Sequence, residues 1–303
     1  MMYGLRTFYR YFQCTDCECV QLAKIPNDLS QFYPDDYYSY GQDPRPGASA
    51  AKQKVRRALL AASKRFSAVD ATLDWAGAPT SLLARYQRLC TSPSAEILDV
   101  GAGAGRLCRE LRELGYKNAL GIDPYVSDDV YAGGELLVRR CSLDEIGGRW
   151  DVISFNHVLE HLPDQKASLQ QAIALLRPGG SIIVRVPVVG GAAWRKYGVD
   201  WVQFDAPRHL YLHSRKSICL LANQVGLTVQ SLADDSHAFQ FWGSELYKND
   251  ISLSGQGPPQ SRSFEMLRHK ANSWVVNHRA DGDQIAVVMT PANDRQPAGG
   301  LSD

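Results

Sequence analysis

Three glycines and two acids carry the first chemistry in this chain. Gly101, Gly103 and Gly105 follow the apolar run Ile97, Leu98 and Val100, and helix-forming residues from Arg106 to Leu114 come after them. That order reads as a buried strand, a tight turn and a helix start. Glycine lets the backbone turn sharply and lets a ligand approach without Cβ interference. The free N–H groups of the helix start then face that ligand. Asp99 sits two residues before the first glycine, and Asp123 closes a second apolar run, Ala119 to Ile122. A carboxylate at Asp99 suits an ammonium-bearing ligand and would repel a pyrophosphate. Asp123, where a second strand should end, can accept both hydroxyls of a ribose.

The dinucleotide fingerprint spaces its glycines G-x-G-x-x-G/A, whereas this chain reads G-x-G-x-G. With Asp99 and Asp123 at these offsets, the stretch resembles the binding motif of class I S-adenosylmethionine-dependent methyltransferases. The resemblance implies an α/β fold: a Rossmann-like, doubly wound, mostly parallel seven-stranded sheet with helices on both faces. An N-terminal arm and an inserted lid add to it. The implied cofactor is S-adenosyl-L-methionine, held by Asp99, Gly101, Ala102, Gly103, Gly105, Asp123, Pro124, Ser142, Leu143, Asn156 and His157. In that family's manner, Asp99 takes the amino-acid end, Asp123 the ribose, and the Cys141–Asp144 segment the adenine edge.

His157, Glu160 and His161 have the spacing of metal ligands on a helix, because i and i+4 share a face. The H-x-x-E-H order also occurs in an inverted zincin motif. Here it follows an apolar strand and precedes a helix, the stop signal Arg177-Pro-Gly-Gly180 and another strand. That series, over residues 95–190, resembles the same methyltransferases, whose comparable runs carry no metal. No metal is expected, His157 should border the methyl-transfer site, and Glu160 and His161 should anchor the helix start. Cys14, Cys17 and Cys19 resemble the latter half of a zinc ribbon found before some sugar and small-molecule methyltransferases. A closed zinc site wants four ligands, so free cysteines in a docked aromatic arm are expected.

Elements must position these groups. Thr80 to Cys90 reads as a helix ended before Pro93. Strands follow at 96–100, 119–122, 135–139, 151–155, 181–186, 227–232 and 284–289, alternating with helices at 106–114, 166–176 and 214–225. The last strand is antiparallel by family resemblance. Between the fifth and sixth strands, residues 187–214 carry Trp194, Trp201, Phe204, His209, Tyr211 and His213. Part of this stretch looks like the segment before the sixth strand in ubiquinone-biosynthesis-like methyltransferases. A long loop at a strand's carboxyl end is where an open α/β sheet builds its site. These aromatics should therefore reach toward the pocket, with His209 as general base and His157 as the second catalytic candidate. For His209 and His213 a structural role stays equally open.

The domain reading is an arm at 1–43, a helical extension at 44–94, a methyltransferase domain at 95–290 and a disordered tail at 291–303. Within the domain, 187–214 and 236–282 are lid or substrate insertions. A basic helix is expected at 51–69, as a solvated face or as attraction for an anionic substrate. A formal net charge of +1 gives no reason to expect nucleic acid. No apolar run is long enough to span a membrane, and no signal core opens the chain, so a cytoplasmic protein is expected. Seven cysteines, an odd number scattered among motifs, fit reduced thiols. The acceptor is read as a small molecule, at an oxygen or a carbon of a sugar, quinone-like or natural-product precursor. The rival readings are a nicotinamide-dependent oxidoreductase and a catalytically silent binding protein.

Overall fold

The computed structural model describes residues 7–29, 32–33, 80–90, 92–253 and 263–292. The expected helix at 51–69, most of a Gly/Pro/Ser-rich loop expected at 252–263 and most of the tail expected at 291–303 lie outside the described residues. The strands are β1 (Tyr11–Gln13), β2 (Val20–Leu22), β3 (Ile97–Val100), β4 (Ala119–Ile122), β5 (Val130–Ala132) and β6 (Glu135–Arg139). After these come β7 (Trp150–Asn156), β8 (Leu176–Pro187), β9 (Tyr211–Leu212), β10 (Leu227–Asp234) and β11 (Gln284–Pro291). The helices are α1 (Thr80–Leu89), α2 (Arg106–Leu114), α3 (Gln165–Leu175), α4 (Ala192–Tyr197), α5 (Arg215–Gln224), α6 (Phe239–Lys248) and α7 (Phe264–His278).

Eight strands make one sheet in the order β10-β11-β8-β7-β3-β4-β6-β5. The inner pairs β8–β7, β7–β3, β3–β4 and β4–β6 are parallel. The β11 strand pairs antiparallel with both β8 and β10. The expected count of seven is corrected by β5, which forms an antiparallel hairpin onto β6 through Gly133 and Gly134. Three residues with no alternating pattern leave no periodic signal in the sequence. The Arg177-Pro-Gly-Gly180 stop also differs, because β8 begins at Leu176 and runs straight through it.

Both faces of the sheet are covered. Leu98, Val100, Ile153, Phe155, Ile182 and Val184 pack under α3 and α5. Ile97, Val152 and Ile183 point the other way, against Leu83 and Tyr86 of α1 and Cys108 and Leu111 of α2. This is the period-two consequence of a buried strand. Asp99, Ser154 and Arg185 share the parity of Ile97, Val152 and Ile183, so they lie on the α1 and α2 face near the strands' carboxyl ends.

The inserted stretch after β8 is not an open aromatic loop. It forms α4, two 3-10 turns and β9, and β9 joins β1 and β2 in a second, three-stranded sheet. Trp201 is fully buried with Val20, Val189, Ala193, Tyr197, Leu212, Phe241 and Val276. Its Nε1 donates to Gln240 Oε1 at 2.7 Å, while Trp194 stacks on Phe204. For Trp201 the expectation of a pocket is corrected, since the hairpin, α6 and α7 bury it in a small core, with the half-buried Trp194 and Phe204 packed against that core.

Candidate functional site

The glycine turn between β3 and α2 is built as the spacing requires. Gly101, Gly103 and Gly105 have φ of 69°, 52° and 77°, left-handed values that cost a side chain strain. A Cβ at Gly101 would sit 2.4 Å from Val158 Cγ2, and one at Gly105 2.6 Å from Val138 Cγ2. The N–H groups of Gly101 and Ala102 donate to the Ile122 carbonyl, which ties the turn to β4. Asp123 closes it from below, Oδ2 accepting from Gly103 N and Oδ1 from Tyr125 N, each at 2.9 Å. Pro124 is exposed beside it. Asp99 is buried and accepts from Ser154 Oγ at 2.7 Å and Asn156 Nδ2 at 2.8 Å. Burial pushes its carboxyl up to about 6 against those two donors, and the Asp123 charge adds to the rise. Among the described residues Asn156 Oδ1 accepts no hydrogen bond. Ser142 sits beyond β6, its N–H and hydroxyl both donating to Glu145 Oε2, and Leu143 packs on the core.

The His157-x-x-Glu160-His161 run lies at the end of β7, beside this turn. His157 holds a left-handed φ of 55°, an uncommon conformation for a side-chain-bearing residue. Its Nε2 lies 3.2 Å from Arg185 Nη1. A guanidinium only donates, so Nε2 accepts and the imidazole proton is on Nδ1, 3.3 Å from Glu160 Oε1. Burial and the Arg185 charge push His157 down to about 3. Its lone pair is therefore committed, and none is left for an acceptor's proton.

His209 and His161 meet edge to face, ring centroids 4.6 Å apart. His209 Nδ1 donates to the Gln203 carbonyl at 2.7 Å, and His161 Nδ1 to the Arg208 carbonyl at 2.9 Å. Tyr33 Oη also approaches His161 Nδ1, at 3.2 Å. Each Nε2 then carries a lone pair, and that of His209 lies 4.0 Å from Glu160 Oε1 and 3.8 Å from Asp205 Oδ2. Glu160 is completely buried, and among the described residues neither of its oxygens accepts a well-formed hydrogen bond, although the His157 Nδ1–H group lies 3.3 Å from Oε1. Burial raises its carboxyl while His161 and His209 oppose the rise, and burial lowers both histidines. Lone pairs facing lone pairs in a buried place call for a positive species between them, a shared proton or a cation. The donor atoms of Glu160, His161 and His209 all lie within 4.8 Å of one another, a set that suits a divalent ion.

Glu245, Glu265 and His269 form a second such group. There Lys196 and Arg268 already pair with Glu245, which balances its charge. The cysteines make no disulfide. Backbone N–H groups of Cys17 and Asp16 lower the Cys14 thiol, while Cys19 turns into the interior.

Residues 71–232, more than half of the chain, match the family model of a methyltransferase domain. The chain belongs to this methyltransferase family. Its class is that of the S-adenosylmethionine-dependent class I enzymes, as the glycine motif suggested. The ubiquinone biosynthesis O-methyltransferase of Rhodopseudomonas palustris (strain TIE-1) is 29% identical, the match covering 46% of this chain and 63% of the relative. Its counterpart in strain BisB5 is 30% identical with the same coverage. The match thus spans 63% of the length of these curated relatives, less than two thirds. Among solved structures, Burkholderia thailandensis 1,6-didemethyltoxoflavin-N1-methyltransferase, with 1,6-didemethyltoxoflavin and S-adenosylhomocysteine bound, is 16% identical at a TM-score of 0.43. That match covers 93% of this chain and 99% of the other.

Within the methyltransferase domain, the geometry brings in residues that the motif reading left aside. Tyr86 of α1 is fully buried near Asp99, whose charge raises its hydroxyl further after burial. Ser154 is the second donor to Asp99, and its parity on β7, two residues before Asn156, was the available signal. Arg185, Asp235 and His237 gather beside His157. Arg185 lies 28 residues from His157 and 50 and 52 from Asp235 and His237 in sequence, so no local pattern could join them. No described helix is long and apolar enough to cross a membrane.

Proposed function

We propose that this chain moves a methyl group from S-adenosyl-L-methionine to a small-molecule acceptor in the cytoplasm. The observation that carries the reading is the closed glycine turn with Asp123 beneath it and Asp99 held by Ser154 and Asn156. Asp99 and the unused Asn156 Oδ1 offer acceptors for the cofactor's ammonium group. Asp123 keeps lone pairs for the ribose, and Pro124, Ser142 and Leu143 border the adenine. When bound, the cofactor supplies an electrophilic methyl; the chain aligns the acceptor with it and excludes water. The ubiquinone-biosynthesis relatives favour an oxygen acceptor. For a hydroxyl acceptor, His161 meets the proton and His209 with Glu160 holds it. The insertion at 187–214, with the described residues of 236–282, would form the wall on that side.

The buried Glu160 carboxyl, with the donor atoms of His161 and His209 within 4.8 Å, favours a second reading of the same cluster. Glu160, His161 and His209 would hold a divalent cation, which would polarise an acceptor oxygen. Calorimetry with S-adenosylhomocysteine and with NAD tests the cofactor, and tight binding of NAD alone overturns the reading. With that in hand, His209→Ala and His161→Ala should each lower turnover by about 10²–10⁴ with homocysteine-adduct affinity nearly unchanged. Full activity after exhaustive chelation removes the cation reading, and full activity in both variants removes the base.

A further inference from the structure

Two helices after β10 bring the second set of donor atoms together. Glu265 and His269 lie one turn apart on α7, so they share a face. Glu245 of α6 meets them from the neighbouring helix, and the donor atoms of all three lie within 4.8 Å of one another. His269 is fully buried, its ring nearly parallel to that of Phe241 at a centroid distance of 6.4 Å. Among the described residues neither of its nitrogens has a hydrogen-bond partner. Nε2 faces Glu245 Oε2 at 3.4 Å and Glu265 Oε1 at 3.9 Å.

These spacings separate a hydrogen bond from a shared ion. A ring N–H donating to a carboxylate closes to about 2.7–3.2 Å, so both gaps are wide for one. Ligand bonds of about 2.0–2.2 Å in a tetrahedral array set the donor atoms about 3.3–3.6 Å apart. The 3.4 Å gap has that spacing, and the 3.9 Å gap reaches it with a small turn of Glu265, whose side chain is 56% exposed. That exposure also gives an ion its way in. Burial first, with the Arg268 and Lys196 charges, lowers the imidazole against Glu245 and Glu265. A neutral ring keeps the lone pair that a metal needs.

The charges around the cluster select the kind of ion. Glu245 Oε1 takes Lys196 at 3.5 Å and the Tyr197 hydroxyl at 3.1 Å, which leaves Oε2 as the oxygen toward His269. Arg268 approaches that Oε2 at 3.4 Å from a half-exposed side chain, where water weakens the pair. No lysine or arginine among the described residues pairs with Glu265. Taken together, two carboxylates face two cations, so net charge does not hold a further cation here. Bonds to the donors must do so, and that favours a transition ion with an affinity for imidazole over magnesium or calcium.

We propose that Glu245, Glu265 and His269 bind a divalent transition cation of the zinc class, with water as the fourth ligand, and that the ion clips α6 to α7. Phe241 of α6 and Val276 of α7 belong to the core that buries Trp201, so the clip holds both helices over that core. The site is independent of the methyl-transfer reading.

The test is zinc binding by the full chain, counted by equilibrium dialysis and by competition with a chromophoric chelator. The background carries Cys14→Ser and His161→Ala, which take a thiol from the hairpin and a donor from the Glu160 cluster. In that background one zinc per chain is expected at micromolar free metal, and it should raise the melting midpoint. Glu265→Gln, at an exposed position, should weaken the binding at least tenfold and cancel the rise, with the metal-free midpoint unchanged. His269→Ala should abolish the binding; should that variant fail to fold, Glu265→Gln decides alone. Millimolar magnesium should leave the zinc in place. No bound zinc, an affinity indifferent to Glu265→Gln, or displacement by magnesium overturns the proposal.

Discussion

Asp99 is the residue where burial and chemistry pull hardest against each other. Its carboxyl titrates near 6 in the folded chain, against an ordinary 3.8. A raised carboxylate means that the folded state binds more protons between those two values, so stability falls as pH rises through about 4 to 6. The difference is worth about 3 kcal/mol, lost once the group ionises without a cation. A cofactor ammonium seated on Asp99 would bring its pKa back down. Binding of S-adenosylhomocysteine between pH 5 and 6 should therefore release a proton, read as a dependence of the calorimetric heat on buffer ionisation enthalpy. Asp99→Asn should abolish the release, and a release that persists in that variant assigns the proton elsewhere. Asp123→Ala should weaken cofactor binding by about 1.5–3 kcal/mol, because its two backbone partners hold the turn as well as the ligand side. Asp99, Asp123 and the glycines were legible in sequence because turn chemistry is local. Glu160 was read as a helix anchor and its metal-ligand spacing set aside, since its approach to His209 depends on how the chain folds back and not on local spacing.

At the scale of elements, what could be read tracks the length of the repeating pattern. The β6 strand was expected at Glu135–Arg139 and is found there, and β10 and β11 each extend two residues beyond their expected ends. Ser214 caps α5 through a reciprocal pair with Ser217, and Gly226 follows the helix with φ 78°. The insertion was not legible, because its aromatics are explained by partners from β1, β2, α6 and α7 rather than by neighbours in sequence. That difference has a measurable consequence. Were Trp201 a pocket wall, its removal would spare stability and cost acceptor binding. Buried in a separate core with its Nε1 bonded to Gln240, Trp201→Ala should cost about 3–5 kcal/mol, seen as a lower urea midpoint. An unchanged midpoint with a raised KM for the acceptor would return Trp201 to the pocket.

Among the described residues two sheets each carry packed side chains, and hydrogen bonds tie the small sheet to the segment that bears His209. The eight-stranded sheet holds the cofactor turn, and the small sheet β1-β2-β9 holds the backbone of the histidine cluster. Tyr11 Oη donates to the His209 carbonyl at 2.9 Å, Leu22 N to the Leu210 carbonyl at 2.9 Å, and Ser214 Oγ to the Cys17 carbonyl at 2.5 Å. The N-terminal hairpin is thus a clamp on the segment that carries His209, even though the chain between residues 34 and 79 separates it from the sheet. Val20 is buried in the core shared with Trp201 and Leu212, so Val20→Asp forces an unpaired charge into that core. None of its packing partners belongs to β3, β4 or the glycine turn. Hydrogen exchange should therefore show lost protection over residues 201–213, with β3 and the middle of β8 still protected. Affinity for S-adenosylhomocysteine should stay within about twofold, under 0.5 kcal/mol, while turnover falls with the displaced His209. Protection lost equally across both sheets would mean that the two cores fold as one cooperative unit, and that the arm supports the cofactor site as well as the acceptor side.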